Sequence, residues 1–279
     1  NIILNPTLIQ GLWIFPAMGL AGSAYASLSS RAVGVILLIL CMYYLPKHKN
    51  GPIKFPKKFS FEPRLVKDIF VIAIPSAVQS GIRSFAMVLM MVIIAAYGEA
   101  AIAAYGICIR LDMLGLIVAM GLCSGVAVMV GQNLGANKPE RAKKTVRYAV
   151  TANAIFMLGV AVLYLFTAPY LLDFFGATGE SLAIGISFMQ IVPFSYFIIA
   201  SGMTMGFAMN GAGATRPGMY AAITGQVIVQ AGLSAILMMT GHPIEQIWFA
   251  IVVGSVVVFL VDLFFYKRGS WMRQRLNLD

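Results

Sequence analysis

The chain has 279 residues, of which 60% are apolar and 11% are charged. Soluble domains carry roughly 25% charged residues, so this composition excludes an ordinary soluble enzyme and a disordered chain. Lys and Arg outnumber Asp and Glu by 20 to 10, and the three cysteines lie singly in apolar runs, which predicts neither a disulfide framework nor a zinc site.

Hydropathy predicts seven helices of about 20 residues or more, the length that spans the hydrocarbon core of a bilayer. In chain order the predicted spans cover residues 19–45, 66–96, 100–134, 146–167, 182–209, 219–240 and 247–266. Residues 1–18 are predicted to be an interfacial segment or the end of a preceding helix. Residues 170–175, which follow Pro169, are predicted to lie along the membrane interface. The sequence therefore predicts an all-α, polytopic membrane protein.

Basic residues are concentrated in alternate connections between the predicted spans. Residues 47–67, residues 138–147, Arg216 and the tail from residue 267 together hold 17 of the 20 Lys and Arg residues. The intervening loops hold none, and this asymmetry predicts that the basic loops and the C-terminus are cytoplasmic. The positive charge thus follows membrane topology in a multi-pass protein of the cytoplasmic membrane, and we predict no nucleic-acid partner.

Charged residues also fall inside predicted spans, where hydrocarbon would surround them. They include Arg31, Arg83, Arg110 and Asp112. A charge at the centre of a spanning helix costs about 2.5–3.5 kcal/mol on insertion scales, so it usually faces a partner or a wet cavity. Two interpretations stay open for these residues, namely structural ion pairs between helices and a transport pathway.

The second predicted span carries a polar stripe. Pro75, Gln79 and Arg83 recur at four-residue spacing and therefore share one helix face. Arg83 lies 15 residues before Gly98, and Asp112 lies 14 residues after it. At about 1.5 Å per residue both side chains sit about 21–23 Å from that turn. We therefore predict a buried ion pair between Arg83 and Asp112.

Further polar residues lie within the spans. Arg110 is two residues from Asp112, so it points elsewhere and needs another acceptor, such as Gln190. Gln226 and Gln230 share a face of the sixth span and either hydrogen-bond to a neighbouring helix or contact a substrate. The predicted substrate or ion pathway contains Gln79, Arg83, Arg110, Asp112, Gln190, Gln226 and Gln230.

Catalytic and metal-binding motifs are not found in the sequence. It contains two histidines, both in predicted loops, and no HExxH, GxSxG or Gly-Lys-Ser/Thr pattern. We therefore predict that the protein is not an enzyme and that it uses no cofactor or bound metal other than a coupling ion.

Two loop segments resemble the cytoplasmic signatures of the MATE (multidrug and toxic compound extrusion) family. Residues 130–142 read VGQNLGANKPERA, and residues 210–219 read NGAGATRPGM. Residues 103–112 and the Ile-Pro pair that ends at Pro75 also fit patterns of this family. The family is part of the wider multidrug/oligosaccharide-lipid/polysaccharide flippase superfamily, and the resemblance covers essentially the whole chain.

The resemblance implies an architecture of twelve helices in two lobes of six. Residues 19–45 would then be the last helix of a missing N-terminal lobe, which we expect to be a partner in the same polypeptide. Residues 46–65 would be the cytoplasmic linker, and residues 66–279 would form the C-terminal six-helix lobe with its tail. The implied function is export of small organic compounds in exchange for Na⁺ or H⁺ by alternating access.

The chain departs from the pattern of some family members at the cation site. Those members carry a Glu eight residues after the proline of the seventh helix, whereas this chain has Arg83, and residues 184–209 contain no acid. The coupling-ion site is therefore expected in the missing N-terminal lobe, and this half is expected to offer little to a cationic drug. Two alternatives stay open: a lipid-linked saccharide flippase of the same superfamily, and a half-size accessory membrane protein that works as a homodimer.

Overall fold

The computed structural model describes residues 1–12, 15–44 and 62–273, and in these ranges it contains helices and no strand. Most of the predicted linker at residues 46–65, namely residues 46–61, lies outside the described residues. The tail from residue 274 also lies outside them. The chain divides into two compact units, residues 1–61 and residues 62–279.

From α3 onwards the α-helices follow each other with short connections. In chain order they are α1 (Leu4–Gln10), α2 (Gly19–Tyr44), α3 (Pro63–Ala95), α4 (Glu99–Gly135), α5 (Pro139–Phe174), α6 (Gly179–Ile191), α7 (Tyr196–Gly211), α8 (Arg216–Ala221), α9 (Gly232–Met239) and α10 (Ile244–Arg268). Seven stretches among the described residues are long and apolar enough to cross a membrane. The predicted all-α, polytopic fold with seven spans is thus confirmed.

The first unit contains α1 and α2. α1 ends at Gly11, whose left-handed backbone (φ 70°) turns the chain, and the N–H of Met18 donates to the carbonyl of Leu8. Gly22 on α2 lies directly against the backbone of Leu8, where a Cβ would find no room. Small residues allow helix backbones to approach this closely. The segment predicted as interfacial or as a helix end thus contains a short helix that packs on α2.

The second unit contains the other helices, and α5 differs from its prediction. The helix runs without interruption from Pro139 to Phe174 with Pro169 inside it, so the predicted end of this span at residue 167 is wrong. The location of residues 170–175 along the membrane interface stays a prediction. A proline removes one backbone hydrogen bond, but packing on neighbouring helices can keep the helix continuous. Ala168 and Leu172, one turn apart on either side of the proline, are both fully packed in the core.

Two predicted spans are interrupted in the structure. A 3₁₀ turn at Val192–Ser195, which contains Pro193, separates α6 from α7 in the fifth span. In the sixth span a π-helical segment, Ala222–Ala231, connects α8 to α9. π-helical hydrogen bonds join residues five apart, are rare, and are frequent at functional sites.

An aromatic cluster lies in the core of the second unit. Tyr105 of α4 stacks on Trp248 of α10, with ring centroids 6.0 Å apart, and Phe188 of α6 meets Trp248 edge-on at 5.0 Å. The indole N–H of Trp248 donates to the hydroxyl of Ser187 at 3.0 Å, which satisfies its only polar atom. These contacts join three helices deep in the bundle.

The two signature segments meet at one end of the second unit. A Cβ built on Gly211 would lie 2.6 Å from the Cα of Ala127, and one built on Gly131 would lie 3.0 Å from the carbonyl oxygen of Gly211. The hydroxyl of Thr215 donates to the carbonyl of Ile72 at 2.9 Å. The glycines of both motifs thus allow α4 and α7 to touch backbone to backbone at this end.

Candidate substrate and ion cavity

A cavity of about 270 Å³ opens between the helices of the second unit. α3, α4, α6, α7, α8, the π-helical segment and α10 all contribute to its wall. Ligand sites of drug-sized compounds occupy roughly 300–1,000 Å³ and combine apolar walls with a few polar groups. The cavity of this unit is close to the lower limit of that range.

α3 contributes the polar stripe that the sequence predicted. Gln79 and Arg83 both line the cavity, and Arg83 is exposed in it rather than buried in the core. A Cβ built on Gly218 would lie 2.9 Å from the side-chain oxygen of Gln79. The glycine therefore leaves the space on α8 that the amide of Gln79 occupies.

Asp112 lines the same cavity from α4, but it does not pair with Arg83. Among the residues that the structure describes, one ion pair has its charged atoms within 4.0 Å, and it joins Lys143 and Glu140 on α5. The Asp112 carboxylate accepts a hydrogen bond from the hydroxyl of Tyr196 on α7 instead. The predicted Arg83–Asp112 ion pair is wrong, because equal depth does not fix the direction in which two side chains point.

Asp262 of α10 is a second carboxylate in the cavity, and the sequence analysis did not select it. Its side chain is 4% exposed, and its Oδ1 atom has no hydrogen-bond partner. Arg83 lines the same cavity, but in the described part of the chain the two groups lie beyond ion-pair distance. The signal that could have found it is the one that selected Asp112, a single acid within a long apolar run.

The π-helical segment supplies two more predicted residues, Gln226 and Gln230, which both line the cavity. The segment lies against α10 through facing glycines. A Cβ built on Gly254 would lie 2.5 Å from the Cβ of Gln230, and one built on Gly225 would lie 2.9 Å from the carbonyl oxygen of Gly254. This close approach brings the glutamines of the π-helical segment to the same wall as Asp262.

The structure brings together five of the seven predicted pathway residues. They are Gln79, Arg83, Asp112, Gln226 and Gln230. Arg110 and Gln190 are exposed and do not line the cavity, and no hydrogen bond joins them in the described part of the chain. Their assignment to the pathway stays a prediction.

Metal-binding clusters are not found among residues 1–12, 15–44 and 62–273, where no group of three or more His, Cys, Asp or Glu side chains could hold an ion. The cavity presents one guanidinium, two carboxylates and three amides to a ligand or an ion.

Comparison with known proteins identifies relatives among transporters. The sequence model of the MatE family matches residues 75–236. The probable multidrug resistance protein YoeA of Bacillus subtilis is 28% identical over 218 residues, which are 76% of this chain and 46% of the relative. The multidrug export protein MepA of Staphylococcus haemolyticus is 25% identical over 283 residues, which are 100% of this chain and 59% of the relative.

A solved structure has the same fold. It is described as the outward-facing conformation of a multidrug resistance MATE family transporter of the MOP superfamily, and it matches with a TM-score of 0.85 at 22% identity. The match covers 98% of this chain and 60% of the solved chain. The chain thus spans about half to three-fifths of the length of the proteins that it matches.

Proposed function

The chain belongs to the MatE family, and from this premise we propose that the full-length protein is a secondary active transporter. It exports small organic compounds across the cytoplasmic membrane in exchange for Na⁺ or H⁺, by alternating access. In such transporters the substrate and coupling-ion sites lie near the middle of the membrane, between packed helices.

The observation that carries this proposal is the charged cavity between membrane-spanning helices. Arg83, Asp112 and Asp262 all line it. Ionisable residues within spanning helices are rare because they are expensive, and they mark substrate and ion pathways. The relatives named as multidrug resistance and multidrug export proteins support drugs or similar organic compounds as substrates.

The remaining length of the relatives supports the proposed architecture. Because this chain covers 59% of the MepA relative, a further lobe of the same polypeptide would complete the transporter. In this arrangement residues 19–45 are the last helix of the N-terminal lobe, and residues 66–279 are the C-terminal lobe. The basic loops and the C-terminus lie in the cytoplasm, as the distribution of Lys and Arg supports.

Ethidium efflux from cells that express the full-length protein tests the proposal. We expect cells loaded with the dye to lose it faster than cells with an empty vector, and we expect the difference to disappear when an ionophore collapses the ion gradient. Efflux that persists without the gradient and follows the ATP level would contradict secondary transport. A dye loss equal to that of the empty vector would contradict drug export.

A further inference from the structure

Two hydrogen-bond acceptors in the cavity have no partner among the residues that the structure describes. They are the Oδ1 atom of Asp262 on α10 and the Oε1 atom of Gln226 on the π-helical segment, and both are inaccessible to bulk solvent. Both side chains line the same cavity. Buried polar atoms are normally hydrogen-bonded, and a buried charge is normally paired. Two unsatisfied acceptors in one cavity therefore indicate a ligand that is a donor or a cation.

Glycines on α7 leave space around the Asp262 carboxyl group. A Cβ built on Gly202 would lie 3.7 Å from the Oδ2 atom of Asp262, and one built on Gly206 would lie 3.5 Å from the same atom. The Gly202 and Gly206 pair has the spacing that usually serves close helix packing. Here the pair also lies directly against the Oδ2 side of the carboxyl group.

The charges in the cavity wall do not balance. Arg83 is the one basic side chain in the lining, whereas Asp112 and Asp262 are both acidic. Asp112 already accepts a hydrogen bond from Tyr196, and Asp262 has no such donor. Of the two carboxyl groups, Asp262 is therefore the one that keeps an unpaired acceptor for a ligand.

We propose that Asp262 and Gln226 form a binding site for one monovalent cation within this half of the protein. The inference rests on the proposed transport function for its biological meaning, and it differs from the expectation that the coupling ion binds in the N-terminal lobe alone. Oxygen ligands of this kind suit Na⁺ in transporters. They suit a positively charged group of a transported compound equally well, so these two sources compete for one site.

Direct binding to the purified full-length protein tests the site without any ion gradient. The probes are ²²Na⁺, measured by scintillation proximity, and ethidium, measured by fluorescence polarisation. We expect wild-type protein to bind at least one probe, and we expect Asp262→Asn to weaken that binding by about tenfold or more, because the substitution removes the negative charge that attracts the cation. Asp173→Asn is the matched control, since Asp173 is exposed at the end of α5 and does not line the cavity.

A second pair of variants keeps the test valid where Asp262→Asn does not fold. Gln226→Leu removes the amide acceptor with little change in volume and is expected to weaken binding of the same probe. Gln10→Leu is its control, because Gln10 is exposed on α1 and does not line the cavity. Thermal unfolding of all four variants identifies those that fold.

The outcomes distinguish the two sources of the cation. A selective loss of ²²Na⁺ binding supports a coupling-ion site, a selective loss of ethidium binding supports a substrate site, and a loss of both supports a shared site. Wild-type affinity for both probes in folded Asp262→Asn and Gln226→Leu overturns the proposal, as does wild-type protein that binds neither probe. A protein that binds through Asp262 but exports nothing would refute the proposed function alone.

Discussion

Gly211 provides the sharpest test of how α4 and α7 pack. A Cβ built on it would meet the backbone of Ala127, with 2.6 Å to the Cα atom and 2.7 Å to the carbonyl carbon. A backbone cannot rotate away as a side chain can, so Gly211→Ala must push the two helices apart. Overpacking of this kind costs about 1–3 kcal/mol. At roughly 2–4 °C per kcal/mol for a domain of this size, the Tm should fall by about 2–12 °C.

Thermal unfolding of the purified full-length protein measures this effect, with Gly121→Ala as the matched control. Gly121 lies in the middle of α4, and a Cβ there would meet nothing within 4 Å. Alanine favours a helix over glycine by about 1 kcal/mol, so the control should melt at or slightly above the wild-type Tm. Gly218→Ala should fall between the two, because its obstacle is the flexible amide of Gln79. A Gly211→Ala protein that melts no lower than Gly121→Ala would refute the packing.

Three further variants test the core and the cavity. Tyr196→Phe removes the donor to the Asp112 carboxylate and should lower the free energy of unfolding by about 1.5–3 kcal/mol. Tyr164→Phe loses a hydrogen bond to a neutral carbonyl and should lower it by about 0.5–1.5 kcal/mol. Equal melting temperatures of the two variants would contradict this difference. Trp248→Ala should cost about 3–5 kcal/mol because the indole is fully buried, and a Tm near the wild-type value would show that the aromatic cluster carries little stability. Reversing the charge of either Arg83 or Asp112 alone is expected to abolish ethidium export. Because the two groups do not pair, reversing both charges in one protein should not restore export. Recovery of export in the double variant would support an ion pair between them.

The sequence alone determined the class of this protein and most of its helices. Apolar runs of sufficient length have one stable arrangement in a bilayer, because every backbone polar group must be satisfied within the segment. For this reason the seven predicted spans agree with the structure to within a few residues except at α5, where core packing of Leu172 extends the helix beyond Pro169. Four-residue spacing likewise sufficed to place Gln79 and Arg83 on one face.

The tertiary structure alone decided which polar groups meet. Depth along two helices could be counted, but the rotation of each helix about its axis could not, so Asp112 bonds to Tyr196 and not to Arg83. Asp262 and Gln226 line one cavity because a π-helical segment and facing glycines place them there, and no local periodicity encodes these features. Helix formation in a membrane is a local backbone requirement that composition reveals, whereas side-chain convergence depends on helix rotation and close packing between residues far apart in the chain.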